Sequence, residues 1–309
     1  MSDSPTNPEL PGSNIPGPEI PGPDVPAEEL PGSQDFSEEF GGIPPEILDM
    51  DKLAPSAPDR EPIVFFKNVS ISFNDRPILK DVSFAVDRGQ TLCILGRSGV
   101  GKSVALRMLM GFLRPDSGSV HVEGKDITRM SEEEMRAIRK RVTMVFQNGA
   151  LFDSMTVREN VAFPLREHGG LAEDQIQQIV ERLISMVGAE DVQDALPASL
   201  STGRKRAVAI ARALASQPEV VLYDEPTTMV DPIIARRLGD LIQRLKRQLG
   251  FTSIVVTHDM RFAQRLADKV LFLHLGRAHY YGPLAGFLSS TDPQIRQFLA
   301  LDAYILPEK

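Results

Sequence analysis

Gly96-Arg97-Ser98-Gly99-Val100-Gly101-Lys102-Ser103 follows the pattern GxxxxGK[ST], with the apolar run Thr91 to Leu95 before it and the helix-periodic stretch Val104 to Met110 after it. A strand that turns through glycines into a helix curls successive N–H groups toward one point and sets the positive end of a helix dipole behind them. That is how a chain holds a phosphate group. Lys102 supplies a mobile cation for the phosphates, and Ser103 a hydroxyl for Mg2+, an ion that keeps most of its waters and takes few protein ligands. Further on, the apolar run Val220 to Tyr223 delivers Asp224 and Glu225 to its end, where open α/β sheets place their ligands. Asp224 there suits a magnesium ion reached through water, and Glu225 suits the orientation and deprotonation of an attacking water. Alone, such a pair is ordinary in loops. Here Pro226-Thr227-Thr228 and Asp231-Pro232 follow, and Gln147 and His258 stand at the ends of two more apolar runs.

These residues need a frame. Strand-like runs at Ile63–Phe66, Ser70–Phe73, Val82–Val86 and Leu92–Leu95 are separated by the turn residues 74–77 and 87–89. Pro115-Asp116-Ser117-Gly118 turns into Ser119–Val122, and Ser131 with Glu134 forms a capping box that opens a short helix. Val142–Phe146 is a further buried strand. From about 156 to 217 the period becomes helical, with Leu171, Ile176, Ile179, Val180, Leu183, Ile184 and Val187 on one face. Strands return at 220–223 and 253–256 around a helical stretch, 232–248. The alternation implies a mostly parallel sheet covered on both faces.

In this order the residues resemble the nucleotide-binding subunit of an ABC transporter over about residues 61–285. The resemblance implies an α/β P-loop NTPase fold with a mostly parallel core sheet, an antiparallel β-subdomain and a helical subdomain at about 156–217. It implies ATP and Mg2+ as cofactors. It makes Phe73 the aromatic that stacks on adenine and lines the nucleotide with Gly96 through Val104. Gln147 becomes the residue linking Mg2+ to a membrane partner, Asp231 a dimer-contact aspartate, and His258 a switch histidine at the γ-phosphate. The competing readings are a core phenylalanine for Phe73 and a strand-end cap for His258. Leu200-Ser201-Thr202-Gly203-Arg204 resembles the signature LSGGQ with departures at Thr202 and Arg204. Ser201 and Gly203 would then meet the nucleotide of a second copy, giving a homodimer that clamps two ATP molecules. A positive φ at Thr202 would strain a β-branched residue by about 1–2 kcal/mol. Arg204 would attract phosphate or form an ion pair, and Arg204-Lys205-Arg206 otherwise reads as a solvated helix face.

Charge is unevenly spread. Residues 1–60 hold 13 of the 24 prolines and 13 acidic residues against Lys52 and Arg60, a net of −11; the whole chain sums to −8, so residues 61–309 sum to +3. Leu-Pro-Gly and Ile-Pro-Gly units recur every five residues, a period of neither helix nor strand, and this composition predicts a disordered, partly extended acidic tail. The single cysteine, Cys93, reads as a buried small hydrophobe. The opening Met1-Ser2-Asp3-Ser4 has no signal-peptide character, and 18 successive apolar residues occur nowhere, so a cytoplasmic subunit acting on a membrane through a partner is expected.

Residues 146–168, from Phe146-Gln147-Asn148-Gly149-Ala150-Leu151-Phe152 to Glu167-His168, are similar to the ATPase subunit of Mla/Mce-type phospholipid transporters, as is Asp292–Leu299 within a C-terminal extension, 286–309, read as helical. The resemblance implies an integral membrane permease, an MCE-domain substrate-binding protein and a STAS-domain subunit as partners, at the cytoplasmic face of the inner membrane. Leu151, Phe152 and Met155 would line the permease groove, or pack in the core. Two other classes stay open: a soluble ABC ATPase of translation or repair, and a regulatory module with weak hydrolysis. The first would carry paired domains or long coiled-coil insertions. Neither is visible, so no nucleic-acid partner is expected.

Overall fold

A computed structural model describes residues 62–303; the tail expectation for residues 1–60 and the last six residues of the extension lie outside them. Two sheets carry the fold. Strands β1 (Val64–Phe73), β2 (Arg76–Val86), β4 (Ser117–Val122) and β5 (Lys125–Asp126) form an antiparallel sheet in the order β2-β1-β4-β5. Strands β3 (Thr91–Leu95), β6 (Val142–Val145), β7 (Val220–Asp224), β8 (Thr252–Val256), β9 (Lys269–His274) and β10 (Arg277–Pro283) form the second, ordered β10-β9-β3-β8-β7-β6. In it β3, β6, β7, β8 and β9 run parallel, and β10 closes one edge antiparallel.

Period-two alternation divides this core sheet between two hydrophobic cores. Leu92 and Ile94 of β3 pack toward the antiparallel sheet, together with α1 (Lys102–Leu109) and α2 (Glu132–Arg139). Cys93 and Leu95 face the helices of the opposite layer. Those helices are α3 (Val157–His168), α4 (Glu173–Met186), α5 (Thr202–Ala215), α6 (Pro232–Leu249) and α7 (Met260–Leu266). Cys93 is fully buried, and burial in apolar surroundings pushes its thiol far above the ordinary range. Beneath the sheet, Arg88 and Arg141 bracket Glu123 and Glu219, tying the antiparallel sheet to the starts of β3, β6 and β7. Among the described residues no helix is long and apolar enough to cross a membrane.

Several local expectations are met and others change. Ser131 and Glu134 form the capping box of α2, and Thr156 with Glu159 forms another on α3. The first two predicted strands are one, β1, interrupted by register shifts around Asn68, which takes φ 49°. The hairpin turn is only Asn74-Asp75, both at positive φ, as a mirror-type two-residue turn requires. Arg76 and Pro77 belong to β2 instead, and Pro77 is tolerated because β2 is an edge strand. Leu171 lies before the N-cap of α4 and is 37% exposed, off the buried face that Ile176 through Ile184 form. At the C-terminal end, α8 (Leu284–Leu288) and α9 (Pro293–Ala303) fold back on β9, with Phe298 5.0 Å from Phe272.

Candidate functional site

The C-terminal ends of β3, β6, β7 and β8 converge on a cleft of about 610 Å³, walled by the Gly96–Val104 loop, Phe73, Gln147, Glu225, Thr228 and His258. The loop owes its shape to backbone conformations closed to other residues. Gly101, the N-cap of α1, sits at φ 106°, and a Cβ there would lie 2.6 Å from the Leu79 side chain. The N–H groups of Lys102 and Ser103, in the first turn of α1, have no intrahelical acceptor and are available to an anion.

Lys102 is buried to 5% exposure. Its Nζ donates to the carbonyls of Gly96 at 2.9 Å and Arg97 at 3.2 Å, and lies 3.2 Å from Glu225 Oε1. Glu225 Oε2 accepts from His258 Nδ1 at 2.7 Å, so one carboxylate bridges the lysine and the histidine. Burial pushes the Glu225 carboxyl up, but the His258 hydrogen bond and the Lys102 charge outweigh it and hold it below the ordinary glutamate range. The same bond raises His258 above the usual histidine value against partial desolvation. Glu225 adopts φ 48°, a left-handed conformation that costs a non-glycine residue about 1 kcal/mol or more. It is held there by its N–H donating to Val256 O at 2.9 Å.

Ser103 Oγ donates to Asp224 Oδ1 at 2.6 Å. Burial raises the Asp224 carboxyl, with Ser103 opposing and the neighbouring Glu225 charge reinforcing the rise. A half-buried carboxylate beside a hydroxyl, with the exposed amide of Gln147 at the cleft, is a set of hard oxygen donors. It suits Mg2+ completed by water and phosphate oxygens. Among the described residues no three His, Cys, Asp or Glu side chains group to hold a metal by themselves.

Phe73 is 41% exposed at the cleft, which removes the core alternative. Val100 turns to a neighbouring cavity behind the loop. Ser201, Gly203 and Asp231 lie outside the cleft of their own chain. Ser201 caps α5 and Asp231 caps α6, accepting from the N–H groups of Ile233 and Ile234. Thr202 is the first residue of α5 and does not take positive φ, so the condition for strain there is not met. Arg204 pairs with Asp191 at 2.7 Å. Arg206 is not on a solvated face: it is 4% exposed, since this side of α5 packs on the core.

Other features had no short-range signal. Phe298 and Leu301 of α9 form an outer wall of the cleft, brought there by tertiary folding. Asn160, fully buried, accepts from Phe152 N–H and donates to the carbonyls of Phe152, Met155 and Thr156, fixing the segment after Gln147. That segment leaves Phe152 41% exposed while Leu151 packs on the core.

Comparison with known proteins gives the family and the fold. Residues 79–228 match the family model described as ABC transporter. The methionine import ATP-binding protein MetN of Brucella abortus is 40% identical over 236 residues, 76% of this chain but 64% of that relative's length. The chloroplastic protein Trigalactosyldiacylglycerol 3 of Arabidopsis thaliana is 38% identical over 257 residues, 78% of this chain and 74% of the relative. Among solved structures, cbiO1 of Clostridium perfringens, part of the cbiONQ ABC transporter complex, superposes with TM-score 0.70 at 28% identity, covering 80% of this chain and 97% of its own. A dimeric ATP-binding cassette in a post-hydrolysis state with ADP and Pi reaches TM-score 0.65 at 29% identity, over 72% of this chain and 98% of its own.

Proposed function

This chain belongs to the ABC transporter family, and on that footing we propose that it is an ATP-binding and ATP-hydrolysing subunit that works as a pair of copies beneath a membrane permease. The observation that carries the reading is the shared cleft. The phosphate loop with Lys102, Ser103 bonded from behind to Asp224, and the Glu225–His258 pair all open onto one volume with Phe73 at its rim.

ATP lies in this reading with its base on Phe73 and its phosphates on the amides of Gly99 through Ser103. Arriving phosphate oxygens draw Lys102 away from Glu225, which frees that carboxylate to orient a water. Ser103, Gln147 and Asp224 would hold Mg2+, which when bound would supply electrostatic stabilisation of the phosphate charge. His258 holds Glu225 on one side and faces the γ-phosphate on the other. Ser201, Gly203 and Asp231, outside their own cleft, serve the cleft of the second copy, as the dimeric state of the post-hydrolysis relative supports.

For the cargo we propose a lipid, with phospholipid first. The similarity of residues 146–168 and 292–299 to Mla/Mce-type ATPases supports it, and the Arabidopsis relative bears the name of a galactolipid. MCE-domain and STAS-domain partners and a place at the cytoplasmic face of the inner membrane belong to the same proposal. Methionine import is the second reading, favoured by the MetN relatives at 40% identity. Purifying the membrane complex through this subunit separates them. Copurifying phospholipid whose release or uptake follows ATP supports the first, and ATP-dependent uptake of labelled methionine without lipid supports the second.

A further inference from the structure

Arg206 has a burial its charge does not favour. It lies on α5 among Val208, Ala209 and Ile210, all buried, and is itself 4% exposed. No carboxylate among the described residues pairs with it, and desolvation lowers its pKa, though a guanidinium remains protonated at any working pH. Its partners are two main-chain carbonyls from separate loops: Nη1 donates to Phe146 O at 3.4 Å and Nη2 to Thr228 O at 3.2 Å. A buried cation without a counter-ion is costly, and an apolar side chain of similar size would pack there at less expense.

The two carbonyls stand at informative places. Phe146 immediately precedes Gln147, and its oxygen also accepts from Gly149 N–H at 2.8 Å, so it anchors the turn that carries Gln147. Thr228 is tied to Glu225 twice, through its N–H to Glu225 O at 3.2 Å and through its hydroxyl to Glu225 Oε2 at 3.4 Å. Six residues along α5, Arg212 donates to Gly149 O at 3.0 Å and Ala150 O at 2.8 Å. The Gln147 turn therefore hangs on α5 through two guanidinium groups, and one of them also holds the loop of Glu225.

We propose that Arg206 is a positioning residue that transmits movement of the Gln147 turn, where a membrane partner would push, to the loop that aims Glu225 at its water. The proposal rests on the ATPase reading above. Without the guanidinium, each loop keeps its own fold and loses its mechanical tie to the other.

The test uses the full chain purified with its membrane complex, as parent, R206M and R206K. Methionine fills the volume without donors; lysine keeps one donating group and the charge. The measurements are ATP dissociation constant, kcat, melting midpoint and hydrogen exchange of residues 146–152 on adding ATP. In R206M, kcat falls about 10-fold or more while the ATP dissociation constant stays within about twofold. The ATP-induced protection of 146–152 seen in the parent disappears, and R206K recovers part of both. If R206M does not fold, R206K alone decides by the same two readouts. A kcat within about twofold of the parent, or a loss that only follows the melting midpoint, overturns the proposal. A parent complex that binds ATP nowhere or turns none over overturns the ATPase reading, and the proposal with it.

Discussion

Gly203 gives the sharpest test of how the signature segment is built. It sits in the first turn of α5, where a Cβ would fall 2.8 Å from Ile234 Cγ2 and 3.8 Å from its Cδ1. Gly203→Ala therefore brings two opposed effects. Alanine is favoured over glycine in a helix by about 0.8–1 kcal/mol, and somewhat less this near the helix start. A Cβ at 2.8 Å from the Cγ2 methyl of a β-branched side chain forces Ile234, and with it the first turn of α6, to move, an overpacking that costs about 1–3 kcal/mol. The parent background should lose about 0–2 kcal/mol. Ile234→Ala removes the clashing Cγ2, so in that background Gly203→Ala should change sign and stabilise by up to about 1 kcal/mol. The difference between backgrounds is a coupling of about 1–3 kcal/mol, within the range for residues in contact. Urea melts of the four proteins measure it. Because Asp231 caps α6 one turn away, ATP turnover should fall in Gly203→Ala and return in the double variant. An equal cost in both backgrounds refutes the steric account of this glycine.

Glu225→Gln should lower ATP turnover by about 10²–10⁴-fold while nucleotide still binds and holds two copies together, seen by gel filtration with ATP; turnover within tenfold of the parent removes Glu225 as general base. Lys102→Ala should abolish nucleotide binding or turnover, and retained activity moves the site elsewhere. Thr202→Gly should yield no stability, and a loss of about 0.3 kcal/mol, because Thr202 is helical; a gain of 1 kcal/mol or more in urea melts means the segment is strained after all. Asn160→Ala orphans the Phe152 N–H and frees three carbonyls, a loss of about 1–3 kcal/mol, with faster hydrogen exchange confined to residues 151–156. The Asp292 carboxyl is held low by the Ile295 N–H first and then by His279. Its capping of α9 is therefore present above the ordinary aspartate pKa and lost as pH falls through the lowered value, and the Ile295 amide resonance should titrate below that ordinary range.

What could be read in the sequence was chemistry set by neighbours along the chain. The glycines of the phosphate loop, the capping box at Ser131 and the acids closing β7 are local, because turn sterics, orphan helix donors and strand ends are decided within a few residues. The alternation of strand, helix and strand also told that both faces of the sheet are covered. What escaped was every role that a distant element confers. Arg204, Lys205 and Arg206 are three consecutive basic residues, and periodicity alone offers no reason for Arg206 to differ. The difference arises because α5 turns that side toward the ends of β6 and β7, where two carbonyls await donors. Thr202 shows the reverse case. A threonine in a glycine position is strained only at positive φ, and a Ser201 cap in the extended region hands the next residue an ordinary helical conformation. Phe298 and Leu301 reach the cleft from some 200 residues beyond the phosphate loop, so only the packing of α9 on Phe272 could reveal them. The residues that line the cleft from the phosphate loop and the strand ends were thus visible one by one. Residues whose function is to connect two such groups became visible only when the fold brought both ends of the connection together.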